Sequence, residues 1–169
     1  MKRLTAALDA KAALAPAAQA LTTLSSVNTD TAADGSFNLA FSDANQVAGP
    51  GGLFTETLDF STLSGFLGIS VYTIADNANN DMDITRVFLT GAGLASPLDI
   101  PAAAFSTDLD ETYRLLALPV LSGSYTLTIE GTPALQNSGF TGQVVFSAAT
   151  AAVPEPATWA MMMLGLGAV

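Results

Sequence analysis

The chain has 169 residues, 50% of them apolar, with fifteen acidic and five basic side chains and a formal net charge of −10. This length suits one domain with a real hydrophobic core, and the apolar content argues against a disordered body. Nucleic acid is not expected as a partner, because an acidic body repels phosphate backbones.

The residue types that are missing exclude most catalytic chemistry. The chain has no cysteine and no histidine, and its last lysine is Lys11. These absences remove disulfides, thiolate metal sites, Ser-His-Asp triads, HExxH zinc sites, Schiff-base lysines and P-loops. We therefore expect a protein that is not an enzyme; a carboxylate-dependent glycosidase is the catalytic alternative.

The N-terminus has the outline of an export signal. Residues 1–20 begin with a basic Met-Lys-Arg and reach Ala18-Gln19-Ala20, which has the small-x-small form that signal peptidase accepts. Asp9 and Lys11 interrupt the apolar stretch, which makes the signal peptide atypical and leaves an ordinary alanine-rich helix as the alternative. Cleavage is predicted at the Ala18 to Ala20 motif.

The sequence between the two ends predicts short β-strands. Residues 21–36 predict a linker or a first strand, and residues 37–150 a β domain. The strand candidates are Phe37 to Phe41, Leu53 to Phe60, Leu67 to Ile74, Met82 to Leu89, Tyr113 to Val120, Ser124 to Glu130 and Gly142 to Ser147. Glycine-, proline- and asparagine-containing turns separate them, and no long amphipathic helix lies between them.

Alternation along two candidates predicts which side chains face the core. Tyr125, Leu127 and Ile129 share one face of their segment, and Phe54, Leu58 and Phe60 share one face of theirs, interrupted by Glu56. Such patterning marks half-buried antiparallel strands. The expected fold is all-β: a single small antiparallel β-sandwich, jelly-roll or Ig-like, flanked by an N-terminal leader and a C-terminal apolar helix.

The last residues carry a recognisable order. Pro154-Glu155-Pro156 forms an extended hinge, Trp159 suits a membrane interface, and the surrounding residues carry no charge. The predicted membrane helix consists of Trp159 together with Ala157, Thr158, Ala160, Met161, Met162, Met163, Leu164, Gly165, Leu166, Gly167, Ala168 and Val169.

This order, within residues 151–169, resembles the PEP-CTERM sorting tail of exported bacterial proteins. The resemblance implies export, transient anchoring in the inner membrane, and processing at Pro154-Glu155-Pro156 by an exosortase-type enzyme. It further implies delivery to the cell surface or to an extracellular polysaccharide matrix. As a helix, 157–169 would span about 20 Å, short of the roughly 30 Å hydrocarbon core, so the tail is expected to be truncated.

The body is also similar to the FxDxA-type PEP-CTERM family. The residues that carry this similarity are Phe54-Thr55-Glu56-Thr57-Leu58 and the segments 80–91 and 121–131. Glu56 and Leu58 stand where the family name has Asp and Ala. The resemblance implies no known catalytic site.

Alternating oxygen-bearing side chains suggest a cation site. Asn77, Asn79, Asp81 and Asp83 occupy every second position of one segment, as in a calcium loop, although the glycine and glutamate of an EF-hand are missing. The alternative is a polar inter-strand turn. We therefore expect no cofactor, or calcium at these residues, and a calcium- or carbohydrate-binding module is the alternative function.

Three smaller sets of residues give further expectations. Asp108, Asp110 and Glu111 predict a solvated acidic loop. Arg86 and Arg114, the only cations beyond position 20, are each expected to pair with a neighbouring carboxylate. Finally, the pairs Thr55/Thr57 and Thr126/Thr128 predict either β-branched strand residues or two rungs of an ice-binding threonine array.

Overall fold

The computed structural model describes residues 21–22, 24, 26–44, 52–73, 75, 81–104, 109–133 and 139–149. They form ten strands: β1 (Leu21–Thr22), β2 (Ser26–Thr31), β3 (Phe37–Ala44), β4 (Phe54–Thr62), β5 (Gly65–Thr73), β6 (Asp83–Gly91), β7 (Leu98–Asp99), β8 (Thr112–Val120), β9 (Gly123–Thr132) and β10 (Gly139–Ala148). The described residues contain no helix that could span a membrane. The prediction of an all-β body is confirmed for this part of the chain; the predicted leader and C-terminal helix lie outside it.

The strands form two five-stranded sheets. Sheet 1 has the order β1-β4-β9-β6-β7, and sheet 2 has the order β2-β3-β10-β5-β8. All neighbouring strands run antiparallel except β1, which pairs with β4 in parallel. The segment 21–36, expected as a linker or first strand, contributes β1 and β2 to the two sheets.

The inner faces of the two sheets share one core. Alternate side chains of β4, β5, β9 and β10 point inward, as a period of two requires. Ring contacts join the sheets: Phe54 of β4 stacks on Phe140 of β10 at 6.0 Å between centroids, and Phe37 of β3 meets Phe60 of β4 edge-on at 6.1 Å. Offset and edge-to-face rings at such distances attract one another. The core lies between the sheets.

Glu56 follows the alternation of β4 and points inward with the apolar residues on either side of it. Its side chain is 0% exposed, and the residue is paired in register with Ile129 of β9. A carboxyl group in such a place loses the hydration it has in the unfolded chain, which costs free energy that the surrounding contacts offset. Glu56, which was predicted to interrupt the apolar face of this strand, is therefore part of the core.

Tyr125 ties the start of β9 to two turns. Its ring is 1% exposed, and its hydroxyl group lies 2.7 Å from the carbonyl oxygen of Ala92 and 2.9 Å from that of Leu121. The single hydroxyl proton is shared between these two acceptors. A buried tyrosine that bonds the backbone four residues upstream in this way resembles the tyrosine corner of β-sandwich proteins.

A β-bulge in β6 is closed by side chains from the opposite sheet. Ile84 is opposite Gly131 and Arg86 opposite Glu130, so Thr85 is an extra residue. The Ile84 N–H donates to Oε2 of Glu111 at 2.5 Å, and the Tyr113 hydroxyl donates to the Ile84 carbonyl oxygen. Bulges disrupt the ladder locally, and these two bonds satisfy the backbone of Ile84. Glu111 is therefore a structural link between the sheets, and its assignment to a solvated loop was wrong.

This link predicts a pH dependence. Burial, and secondarily the charge of Glu111, raises the pKa of Tyr113 above its ordinary value. The unfolded chain therefore loses the phenol proton at a lower pH than the folded chain, and stability falls as the pH rises above about 10. Replacing Tyr113 by Phe should remove this contribution. The stability difference between wild type and Tyr113→Phe, measured by urea unfolding at pH 8 and pH 11, should be smaller at pH 11; an equal difference at both values would contradict the assignment.

Candidate functional site

The residues predicted for sorting lie outside the described part of the chain. This applies to Ala18 and Ala20, to Pro154, Glu155 and Pro156, and to Trp159 and the rest of the predicted membrane helix. The structure does show where the tail leaves the domain. β10 ends at Ala148, whose N–H donates to the Ser36 Oγ at 3.0 Å, and the Ala149 N–H donates to the Ser64 carbonyl oxygen at 2.9 Å.

Four turns share this end of the domain, which we call the tail end. They comprise residues 32–36, 63–64, 92–97 and 121–122, and Asp34 is the only charged residue among them. Large apolar side chains are exposed on two of these turns, Leu63 at 53% and Leu121 at 61%. The Asp34 carboxylate accepts the Ser36 N–H at 2.9 Å, and this hydrogen bond holds the pKa of Asp34 below its usual value. The tail end is therefore nearly uncharged and partly apolar.

The opposite end of the strands carries several acidic residues, including two of the four predicted calcium ligands. Asp81 and Asp83 lie at the start of β6, whereas Asn77 and Asn79 lie outside the described residues. Within the ranges that the structure describes, no group of three or more His, Cys, Asp or Glu side chains is placed to hold a metal ion. The calcium site stays a prediction.

The predicted threonine pairs come together on the outer face of sheet 1. Thr57 is paired in register with Thr128, and Asp59 with Thr126. The Thr126 hydroxyl donates to the Asp59 carboxylate at 2.6 Å, and Thr55 and Thr128 are only 9% and 8% exposed. Two of these threonines are thus nearly buried and a third is hydrogen-bonded within the sheet, as β-branched strand residues commonly are. The ice-binding alternative stays a prediction.

The two arginines of the body differ in their surroundings. Arg86 pairs with Asp99 at 2.7 Å and lies over the Phe88 ring, 4.2 Å from its centroid. Arg114 of β8 is exposed and makes no ion pair or side-chain hydrogen bond within the described ranges. The expectation that both arginines pair with a carboxylate is confirmed for Arg86. For Arg114 it stays a prediction: this residue lies on the outer face of sheet 2, where the described neighbours include no carboxylate.

Arg114 borders a groove on that face, which we call the sheet 2 groove. Its volume is about 330 Å³. The lining residues come from three adjacent strands: Phe66, Gly68 and Ser70 of β5, Arg114 and Leu116 of β8, and Gln143 and Val145 of β10. Phe66 is 53% exposed, Leu116 66% and Val145 42%. None of the described lining residues is acidic. Sequence reasoning missed this site, because its parts are remote along the chain and meet only through the strand order.

A bulge shapes the groove. Leu67 is opposite Leu118 and Ile69 opposite Leu115, so Leu116 and Ala117 together face Gly68. Ala117 has a φ of 51°, a left-handed conformation that costs a non-glycine residue roughly 1–2 kcal/mol. The bulge turns Leu116 outward, and Gly68 contributes no side chain to the floor. Bulges and strained backbone are common at functional sites, so the groove is a candidate functional site.

Comparison with known proteins gives two matches and one negative result. Residues 152–169 match the family model for the PEP-CTERM protein-sorting motif. The chain is similar to the crystal structure of Salmonella Typhimurium PliG, a periplasmic lysozyme inhibitor of g-type lysozyme, with 13% identity and a TM-score of 0.39 over 75% of this chain and 97% of that one. No functional inference follows from a similarity at that level, and no curated protein matches the chain. The chain carries a PEP-CTERM protein-sorting motif at residues 152–169, which implies an exported protein that is sorted by an exosortase.

Proposed function

We propose that the chain is a non-catalytic surface protein, exported and then delivered to the cell surface or extracellular matrix after exosortase processing of its tail. The observation that carries this proposal is the position of the sorting motif. It begins at residue 152, shortly after the last strand ends at Ala148. All ten strands of the described residues therefore precede the hinge, and cleavage at the hinge would release the β domain whole.

The charge distribution supports transient anchoring. An anchored tail holds the tail end of the domain near the membrane surface, and the turns there carry one charged residue, Asp34, and the exposed leucines 63 and 121. The acidic residues of the opposite end, such as Asp83 and Glu111, would face away from the membrane. This orientation keeps most of the negative charge hydrated and away from lipid headgroups.

The proposed architecture is a β-sandwich. Its support comes from the ring contacts between the sheets and from the corner made by Tyr125, since both are features of two packed antiparallel sheets. A sandwich exposes two outer sheet faces, which are available for contacts outside the cell.

We further propose that the domain has no resident cofactor and no catalytic role. A glycosidase needs two carboxyl groups flanking one cleft. The sheet 2 groove has no described acidic residue, and a second groove, on the outer face of sheet 1, has Asp59 alone. The proposal thus rests on the composition of these two grooves together with the lack of histidine and cysteine.

The test is processing of a hinge variant. The full chain is produced in a bacterium that makes an exosortase, as wild type, as the triple variant Pro154→Ala, Glu155→Ala, Pro156→Ala, and as the control Met162→Leu. We expect a form that lacks the tail for wild type and control, and only the uncleaved chain for the triple variant. Mass spectrometry of C-terminal peptides distinguishes them. Equal processing of the triple variant would overturn the proposal.

A further inference from the structure

We propose that the sheet 2 groove binds a polysaccharide segment that carries a single uronate carboxylate. Arg114 would bind the carboxylate, and the Phe66 ring would pack against the apolar face of a neighbouring sugar ring. The binding of such a ligand rests on the proposed function in one respect only: export would bring the domain to the polysaccharide outside the cell.

Charge identifies the anionic part of the ligand. Arg114 is a lone guanidinium on this face of a chain with a net charge of −10, and no described residue neutralises it. A guanidinium group presents two parallel N–H donors to a carboxylate, a geometry that favours uronates over neutral sugars. The overall negative charge disfavours a dense polyanion. A chain with widely spaced carboxylates fits both conditions.

The shape of the groove identifies the rest of the ligand. In the register of sheet 2, Arg114 is opposite Ser70, and Phe66 lies four residues from Ser70 along β5. At about 3.3 Å per residue, the two ends of the groove are about 13 Å apart, the length of a short run of sugar rings. The floor between them is Gly68, and polar groups of Ser70 and Gln143 line the sides. An exposed apolar ring with a few polar groups around it is the usual composition of a ligand site.

The groove can be filled without a clash in the fold. A Cβ atom built on Gly68 would lie 3.8 Å from the Leu115 carbonyl oxygen and 3.9 Å from that of Val145, which are ordinary contacts. A larger side chain at this position extends outward into the groove. Gly68→Leu should therefore block the ligand and leave the two sheets in place.

The experiment measures binding of a tetrasaccharide with one glucuronate residue to the purified full chain in mild detergent and 0.15 M salt, by calorimetry. The same tetrasaccharide with its carboxyl group reduced to an alcohol is the matched neutral probe. We expect wild type to bind the acidic probe at least tenfold more tightly than the reduced one. Arg114→Gln should lose that preference, and Arg114→Lys should keep part of it. Gly68→Leu should bind neither probe while melting at or above the wild-type temperature.

Three results would overturn the proposal. The first is binding of the acidic probe by Arg114→Gln as tightly as by wild type. The second is no binding of either probe by the wild-type chain. The third is a dimer of the wild-type chain that Gly68→Leu dissociates, which would identify a second copy of the chain as the occupant. None of these results depends on export, so a failure here is distinguishable from a failure of tail processing.

Discussion

Replacing Phe146 by alanine is expected to lower the free energy of unfolding by about 3–5 kcal/mol, the usual cost of removing a buried phenylalanine. The Phe146 side chain is 1% exposed, and its ring centroid lies 5.4 Å from that of Phe37. It belongs to β10, the middle strand of sheet 2, so the surrounding strands cannot collapse into the cavity. Domains of ordinary stability have a free energy of unfolding of about 5–15 kcal/mol, so this loss would remove a large fraction of it.

The matched control is Phe66→Ala, which removes the same side chain from the other face of the same sheet. Leu67 is paired in register with Phe146, and Phe66 directly precedes Leu67 in β5. Because Phe66 is 53% exposed, its loss should change stability by no more than about 1 kcal/mol. Urea unfolding of both variants measures the difference. Equal destabilisation by the two substitutions would mean that the faces of sheet 2 are assigned incorrectly.

Gly131→Ala is expected to destabilise the domain by about 1–3 kcal/mol or more through overpacking. Gly131 lies on β9, in the middle of sheet 1, paired with Phe54 and Ile84. A Cβ atom there would lie 2.3 Å from the carbonyl oxygen of Asp83 and 2.7 Å from the Phe54 ring. The carbonyl group belongs to a paired strand and cannot move without breaking the bulge of β6.

Gly68→Ala is the control for this substitution, since it also places alanine in a strand. The added methyl group has room, so the unfolded chain loses conformational freedom with no clash in the folded one. Stability should rise by about 0.4–1 kcal/mol. Thermal unfolding of the two variants gives the comparison. A Gly131→Ala variant as stable as Gly68→Ala would contradict the described pairing of β9 with β6.

Local pattern predicted the strands that have alternating apolar residues. The segments predicted around Phe54 to Phe60 and Tyr125 to Glu130 lie within β4 and β9, and their inward residues are buried. The short edge strand β7 was missed, because two residues have no detectable period. The region of β1 and β2 was predicted as a linker or a first strand, since the side chains of 27–31 are mostly polar and lie exposed at a sheet edge.

The functional residues likewise fall into those that the sequence alone predicts and those that depend on the fold. The sorting motif could be read from the chain because Pro154, Glu155 and Pro156 stand next to each other and act as one linear signal. The sheet 2 groove could not, because it depends on β5 lying between β8 and β10. The distance of Arg114 from the described carboxylates is likewise a property of that arrangement; composition alone suggested a partner among so many acidic residues.

We propose that this β domain is cargo for sorting and is released from its tail outside the cytoplasm. The most direct test is the intact mass of the native protein recovered from the cell envelope and from the medium, together with its terminal peptides. We predict a mature chain that begins near Leu21 and ends near the Pro154-Glu155-Pro156 hinge. Recovery of the unprocessed chain, from Met1 through the tail, in the cytoplasm alone would contradict the account.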